Sequence, residues 1–314
     1  NFPIEQGLTQ QDSEYGEKDF EQMLVKAKAK GSFMVFTDFI NNPIDQMAKE
    51  ELYDVWLENT RVNLYNSATD GGLTLASVDY LPQIIKAVIV GGSPQELPTH
   101  EQFQKLKDKG YTIFVVDRTN KRMTFPPDYI VTVDASKLIT PYYDCPQHVD
   151  TKALFPLCCD PYLRLTISNK AWYMPSIDKV TDNIINKLTR LPIIQSYGTV
   201  TNTACTLAEY MGAKEIVLVG VTYGWPEGTP LESMDWYNRL KATGASEELV
   251  MKAHKTIEHP VWKTKYISDP LFDIYRKGFY KWLEGTNVRV INATGGGTVF
   301  HDKLEYKTLE QIMA

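Results

Sequence analysis

The chain has 314 residues, 43% of them hydrophobic and 23% charged, which describes one large or two small globular domains that need no disulfide or metal to build a core. Its formal net charge of −6 gives no global attraction for nucleic acid or an anionic membrane, and no run reaches the roughly 18 apolar residues of a membrane span. Cys145, Cys158, Cys159 and Cys205 form no CxxC pair, and the sequence opens with no basic-then-apolar leader pattern, so a cytoplasmic protein with reduced thiols and no metal site is expected.

In chain order, "GEKDFEQMLVKAKAK" carries helical spacing, and "SFMVFTDF" suits a strand or the start of a helical segment. "PIDQMAKEELYDVWLENTRVNLYN" (43–66) reads as an amphipathic helix broken by "SATDGGLT", so residues 1–80 read as a helical extension. Beyond it come short Val- and Ile-rich runs that do not alternate with polar residues: "KAVIVGG" (86–92), "YTIFVVD" (111–117), "PDYIVTVD" (127–134), "LPIIQS" (191–196) and "KEIVLVGV" (214–221). Runs of this kind are covered on both faces, as in a parallel sheet. The helical patterns between them, "THEQFQKLKDKG" among them, predict a doubly wound, Rossmann-like, mainly parallel α/β domain over 81–314. The stretch 137–176 reads as irregular. A polar insert follows the fifth strand at about 224–265, then an amphipathic helix at 269–285, a strand at 288–292 and a last helix near 308–313.

Five places along this pattern suit ligand chemistry. Gly91, Gly92 and Ser93 follow the first strand, either as a plain tight turn or as a loop that lets the backbone approach a phosphate. Asp117 and Arg118 end the second strand, either as a surface ion pair or as contacts to a ribose or base edge and a phosphate. Asp134 ends the third and either faces a cleft or caps the next segment. "GTVTNTACTLAEYMGAKEIVLVG" (198–220) puts Gly198, Thr199, Thr201 and Asn202 at a helix start, while Ala204, Leu207, Ala208 and Met211 lie on one face toward the sheet. One cap explains one polar residue, and a start this rich in hydroxyls suits a phosphate or a sugar ring. "NATGGG" (292–297) follows a strand, as a flexible turn or as a loop laid against a ligand. In the insert, His254 and His259 are either solvated or one of them serves as a general base.

Taken in order, "VIVGGSP", "VDR", "PDYIVTVDAS", "GTVTNTACTLAEYMGAKEIVLVG" and "VINATGGG" resemble the family of MptE-like proteins. That family includes archaeal 6-hydroxymethylpterin diphosphokinases and the Maf (motility-associated factor) glycosyltransferases. It is distantly similar to bacterial sialyltransferases that use CMP-sialic acid. The resemblance covers roughly residues 50–314 and is strongest over 86–134, 190–221 and 286–297. Two places depart from the family pattern. The loop G-x-G-P-S-L keeps Gly91 and Pro94 but has Ser93 for the second glycine and Gln95 for the serine. The strand-end G-x-D reads Gly220, Val221, Thr222.

The resemblance implies a transferase that takes a CMP-sugar and passes the sugar to a hydroxyl on a protein or glycan acceptor, with no required cofactor. On that reading Gly91, Gly92, Ser93, Asp117, Arg118, Asp134, Gly198, Thr199, Thr201 and Asn202 hold the nucleotide. Thr222, Asn292 and Thr294 lie on the sugar or acceptor side, and His254 or His259 is the base. Its second branch implies an ATP-dependent pterin diphosphokinase needing Mg2+. There an acidic D-x-D-G cluster follows the third strand, whereas this chain has "VDAS". A degenerate nucleotide-binding protein without turnover is the third reading.

Overall fold

Val88, Ile89, Val115 and Leu218 belong to unbroken apolar runs, and such runs form strands that are buried on both sides. The computed structural model describes residues 44–69, 76–176, 189–242 and 244–314; the readings made for 16–30 and 32–39 lie outside them. Strands β1 (Lys86–Val90), β2 (Tyr111–Val116), β3 (Tyr129–Val131), β4 (Lys152–Pro156), β5 (Lys170–Pro175), β6 (Ile193–Ile194), β7 (Glu215–Val219), β8 (Trp225–Pro226), β9 (Lys255–Glu258), β10 (Lys265–Ser268), β11 (Arg289–Asn292) and β12 (Leu304–Tyr306) fall into two sheets. The large one has the order β12-β11-β7-β1-β2-β3-β4-β5-β6, with every pairing parallel. From β1 the chain winds outward through β2 to β6, then crosses back to β7 on the other side of β1. The order therefore reverses between β1 and β7, the place where open α/β sheets bind ligands beyond the strands' carboxyl ends.

The two-residue period of the strands divides the core. Ala87, Ile89, Phe114, Ile216 and Leu218 face one side with Ala204, Leu207 and Ala208 from the helix Val200–Tyr210, its C-cap Met211, and Phe279, Trp282 and Leu283 from the helix Pro270–Gly285. Val88, Val90, Ile113, Val115, Val217 and Val219 face the other, with Phe103 and Leu106 from the helix His100–Asp108 and Leu309, Ile312 and Met313 from the helix Leu309–Met313. Both faces are covered, as the doubly wound reading requires.

The middle stretch read as irregular contains β4 and β5. "KALFP" and "KAWYMP" each end in proline at the sheet's carboxyl edge, and their aromatics bury Phe155, Trp172 and Tyr173. The polar insert carries a small antiparallel sheet, β8-β10-β9, and two helices, Asp235–Ala242 and Glu247–Ala253. The helix read over 43–66 spans Ile44–Thr69 and docks at the carboxyl edge of the main sheet. Asn59 Nδ2 donates to the carbonyls of Ala135 and Cys158, at 3.0 Å each, and one turn on Asn63 Nδ2 donates to those of Leu157 (2.8 Å) and Cys159 (2.9 Å). No described helix is long and apolar enough to cross a membrane.

Candidate functional site

A cavity of about 830 Å3 opens at the reversal between β1 and β7. Gly92 and Ser93 line it from the end of β1, Asp117 and Arg118 from β2, Asp134 from β3, and Gly198, Thr199 and Thr201 from the start of the helix 200–210. Thr222 lines it from beyond β7. Side chains the sequence did not single out complete it: Trp56 of the first helix, Tyr142, Asp235 and Trp236 of the insert, and Asp269 and Tyr275 at the start of the helix 270–285. Among the described lining residues Arg118 is the one Lys or Arg, against the four carboxyl groups of Asp117, Asp134, Asp235 and Asp269.

The two glycines after β1 have different work. Gly91 sits beneath the cavity, its N–H donating to Val219 O at 2.8 Å. A Cβ there would stand 2.5 Å from Gly220 O and 2.9 Å from Val221 Cγ2, so this glycine lets the loops after β1 and β7 touch. A Cβ on Gly92 would meet Arg118 Cδ at 3.7 Å, an ordinary contact beside the cavity. Gly91→Ala is therefore expected to cost about 1–3 kcal/mol in a urea melt, while Gly92→Ala stays within about 0.5 kcal/mol of the parent. Equal melts for the two would contradict this division.

Ser93 and Gln95 are held firmly in the loop after β1. Ser93 N–H donates to Gly220 O (3.1 Å), and the Ser93 hydroxyl accepts from Gln95 N–H (3.3 Å). Arg122 donates to the carbonyls of Ser93 and Gln95, and the Gln95 side chain donates to the Tyr266 hydroxyl of β10. The loop is thereby fastened to the insert.

The polar start of the helix 200–210 separates into two groups. Thr199 is the N-cap residue, extended at φ −154°, and its side chain makes no capping bond. The first-turn N–H groups, unfilled by any helix, lack that usual partner and lie beside the cavity. The rest of the cluster fastens backbone. Thr203 Oγ1 donates to Thr199 O (3.0 Å), and Thr206 Oγ1 to Gln195 O (2.9 Å). Asn202 is fully buried: its Nδ2 donates to Tyr197 O (2.7 Å) and Tyr275 O (3.1 Å), and its Oδ1 accepts from the Tyr223 hydroxyl (2.6 Å). Asn202 thus lies behind the lining, where it holds the left-handed Tyr197–Gly198 turn (φ 48° and 86°).

Asp117 is 5% exposed. One carboxylate oxygen accepts from Arg118 N–H (2.6 Å), the other from the Thr132 hydroxyl (2.7 Å). Burial pushes its pKa up to about 6 against those two bonds, and the Asp134 charge adds to the rise. Burial also raises Asp134, whose Oδ1 accepts from Ser136 N–H at 2.7 Å. Arg118 reaches Tyr142 OH (3.3 Å) and Asp235 (3.5 Å) across the mouth. Thr222 gives its hydroxyl proton to Gly224 O (3.0 Å).

The "NATGGG" loop stands behind this wall. Asn292 Nδ2 donates to Val299 O (3.1 Å), Thr294 Oγ1 accepts from Val221 N–H (3.1 Å), and neither residue lines the cavity. A Cβ on Gly297 would lie 2.6 Å from Thr222 Cα, so the loop props the Val221–Gly224 segment.

Neither histidine lines the cavity, which corrects their expected place beside an acceptor. His254 caps the end of the helix 247–253, its Nδ1 2.6 Å from Val250 O. His259 is fully buried among Trp262, Phe300 and Tyr306. Its Nδ1 accepts from Val261 and Trp262 N–H (3.2 and 3.3 Å), which makes Nε2 the protonated nitrogen that donates to Val299 O at 3.2 Å. Burial lowers the pKa of both. The unfolded chain therefore takes up protons more readily than the folded one once the pH drops to the ordinary value of 6.5. Their stabilising contribution is complete above that pH and falls as the pH goes down toward the lowered folded values. A His259→Phe variant should show a flatter urea midpoint between about pH 7 and 5 than the parent; an unchanged slope would contradict the assignment.

Among the described residues no three His, Cys, Asp or Glu side chains gather as a metal-binding group. The four cysteines are free thiols, three of them buried.

The comparisons agree with this architecture. Among curated proteins none matches the chain. Among solved structures it is similar to a Maf glycosyltransferase from Magnetospirillum magneticum AMB-1, with a TM-score of 0.58 and 14% identity. That likeness covers 82% of this chain and 39% of the other, so the chain spans well under half of that protein, and at this identity what is shared is the fold. The sequence model of the family described as "6-hydroxymethylpterin diphosphokinase MptE-like" matches residues 58–228, more than half of the chain and the segment that holds β1 to β7. The chain belongs to the MptE-like family.

Proposed function

We propose that the chain is a glycosyltransferase of the Maf and sialyltransferase-like type, which takes a CMP-sugar and transfers the sugar to a hydroxyl of a protein or glycan. The observation that carries the reading is the first turn of the helix 200–210, uncapped by its own Thr199, opening on the cavity at the sheet's reversal. Its N–H groups and the Thr199 and Thr201 hydroxyls suit one phosphate, and they favour the charge that gathers on it as CMP departs. Arg118 supplies the balancing cation once it leaves Asp235. Asp117 and Asp134, at the ends of β2 and β3, suit ribose hydroxyls, and Gly92 lines the cavity without a side chain to crowd the nucleotide.

The diphosphokinase reading asks the same residues to hold Mg2+ on a polyphosphate. Asp117 and Asp134 are neighbours, but each Asp117 oxygen already accepts a hydrogen bond, and Asp134 Oδ1 accepts from Ser136 N–H. Among the described residues no third carboxylate joins them in a metal-binding group, which favours the sugar-transfer reading.

The test is CMP release from CMP-N-acetylneuraminic acid, with lactose as hydroxyl acceptor and EDTA present. Release above the background rate is expected. ATP- and Mg2+-dependent diphosphorylation of 6-hydroxymethylpterin in place of it would replace the reading with the kinase one. CMP binding with no release would make the chain a nucleotide-binding protein without turnover.

A further inference from the structure

Transfer to a hydroxyl needs a group that takes the acceptor's proton, and both histidines stand outside the cavity. The four carboxyl groups in the lining are not equivalent. Asp117 has both oxygens engaged beneath β2, and Asp134, beside it, accepts from Ser136 N–H. Both sit on the side assigned to the nucleotide. Asp235 is exposed to solvent and ion-paired with Arg118 at 3.5 Å.

Asp269 is set apart by its burial, its place and its lack of a cationic partner among the described residues. It is 4% exposed, it lines the cavity from the insert side, and it forms no ion pair with a described Lys, Arg or His. Leu271, Phe272 and Tyr275 of its own helix make an apolar wall next to it. Its Oδ1 accepts from Phe272 N–H at 2.9 Å as the helix N-cap, which fixes the carboxyl group in place.

We infer that Asp269 is the catalytic base of this site, a proposal that rests on the sugar-transfer reading. Its carboxylate takes the proton of the acceptor hydroxyl as that oxygen bonds to the anomeric carbon of the donor. The bond from the anomeric carbon to the phosphate oxygen breaks, and CMP leaves with the electron pair. The proton on Asp269 then passes to water. Thr222 and Asp269 line the same cavity from different elements.

The charges around it favour the role. Burial raises the Asp269 carboxyl to about 6, against the N–H bonds of Phe272 and Leu271, and the charges of Asp273 and Asp235 add to the rise. Asp273 is itself paired with Arg276 at 2.7 Å. A base of about that pKa is poised for proton transfer near neutral pH.

Asp269→Asn separates this role from the structural one, because asparagine caps a helix as well as aspartate does; Asp269→Ser is the second capping variant. The 314-residue chain and both variants are assayed for CMP release from CMP-N-acetylneuraminic acid with lactose, and for thermal stabilisation by CMP. The expected result is a fall of at least a hundredfold in kcat in both variants, with the CMP stabilisation of the parent kept and the acid limb of the parent's kcat–pH profile gone. Variants within tenfold of the parent, or an unchanged acid limb, overturn the assignment and leave the transfer reading standing. A parent that releases no CMP overturns both.

Discussion

An Asn202→Ala variant should lose roughly 1.5–4.5 kcal/mol of stability in a urea melt and bind nucleotide at least tenfold more weakly, although residue 202 does not touch the cavity. The size follows from what the amide holds. Its removal takes a donor from the carbonyls of Tyr197 and Tyr275 and an acceptor from the hydroxyl of buried Tyr223, each formerly within 3.1 Å of the Asn202 side chain. Each buried hydrogen bond lost costs about 0.5–1.5 kcal/mol, and three are lost together. The binding loss follows from position, because the Tyr197–Gly198 turn that Asn202 pins leads directly into Thr199 and Thr201. Asn202→Asp should fail in a different way, since a carboxylate oxygen would face two carbonyls that need a donor. A variant at residue 202 that melts like the parent but loses nucleotide would mean that Asn202 contacts ligand, as its sequence position alone suggests.

Gly278→Ala is the second large effect, and its sign goes against helix propensity. Gly278 lies inside the helix 270–285, where alanine is favoured over glycine by about 1 kcal/mol. A Cβ at this position would stand 2.2 Å from Tyr197 O and 3.3 Å from Asn202 Nδ2. The opposing atoms are a backbone carbonyl and an amide already committed to it, so neither yields cheaply. Net destabilisation of about 1–3 kcal/mol is expected by thermal or urea melt, together with weaker nucleotide binding. An alanine variant as stable as the parent would show that the helix and the turn are not in this close contact. The two substitutions act on one carbonyl, so their effects should not add in the double variant.

Much of the fold is legible because a buried parallel strand leaves an unbroken apolar run. β1, β2 and β7 could be placed from Val and Ile alone, and Gly91, Gly110 and Gly212 mark where the chain turns. β4 and β5 escaped because proline and aromatics, ordinary loop signals, end short strands at the sheet's edge. In the candidate site the strand ends were readable, since topology brings Gly92, Asp117 and Asp134 to one rim. Residue type did not tell whether a polar group faces the cavity or the backbone behind it. Thr199 and Thr201 face it; Asn202, Asn292 and Thr294 brace it. Asp269 was hidden in plain view as the aspartate of "DPLFDIYRKG", a helix cap whose second face appears only when the insert folds back over the sheet.

The most direct test of the central claim, that this cavity receives a nucleotide phosphate at the helix start without a metal, is a thermal-shift series. CMP, CDP, UDP, GDP and ATP are each added with Mg2+ and with EDTA, to the parent and to Gly92→Val, whose side chain adds bulk to the cavity lining beside Arg118 and Val116. Stabilisation of the parent by CMP in EDTA is predicted, about 2.7 kcal/mol at a hundred times the dissociation constant, and it should vanish in Gly92→Val. Stabilisation by ATP with Mg2+ alone, or a CMP effect that survives in Gly92→Val, would contradict the account.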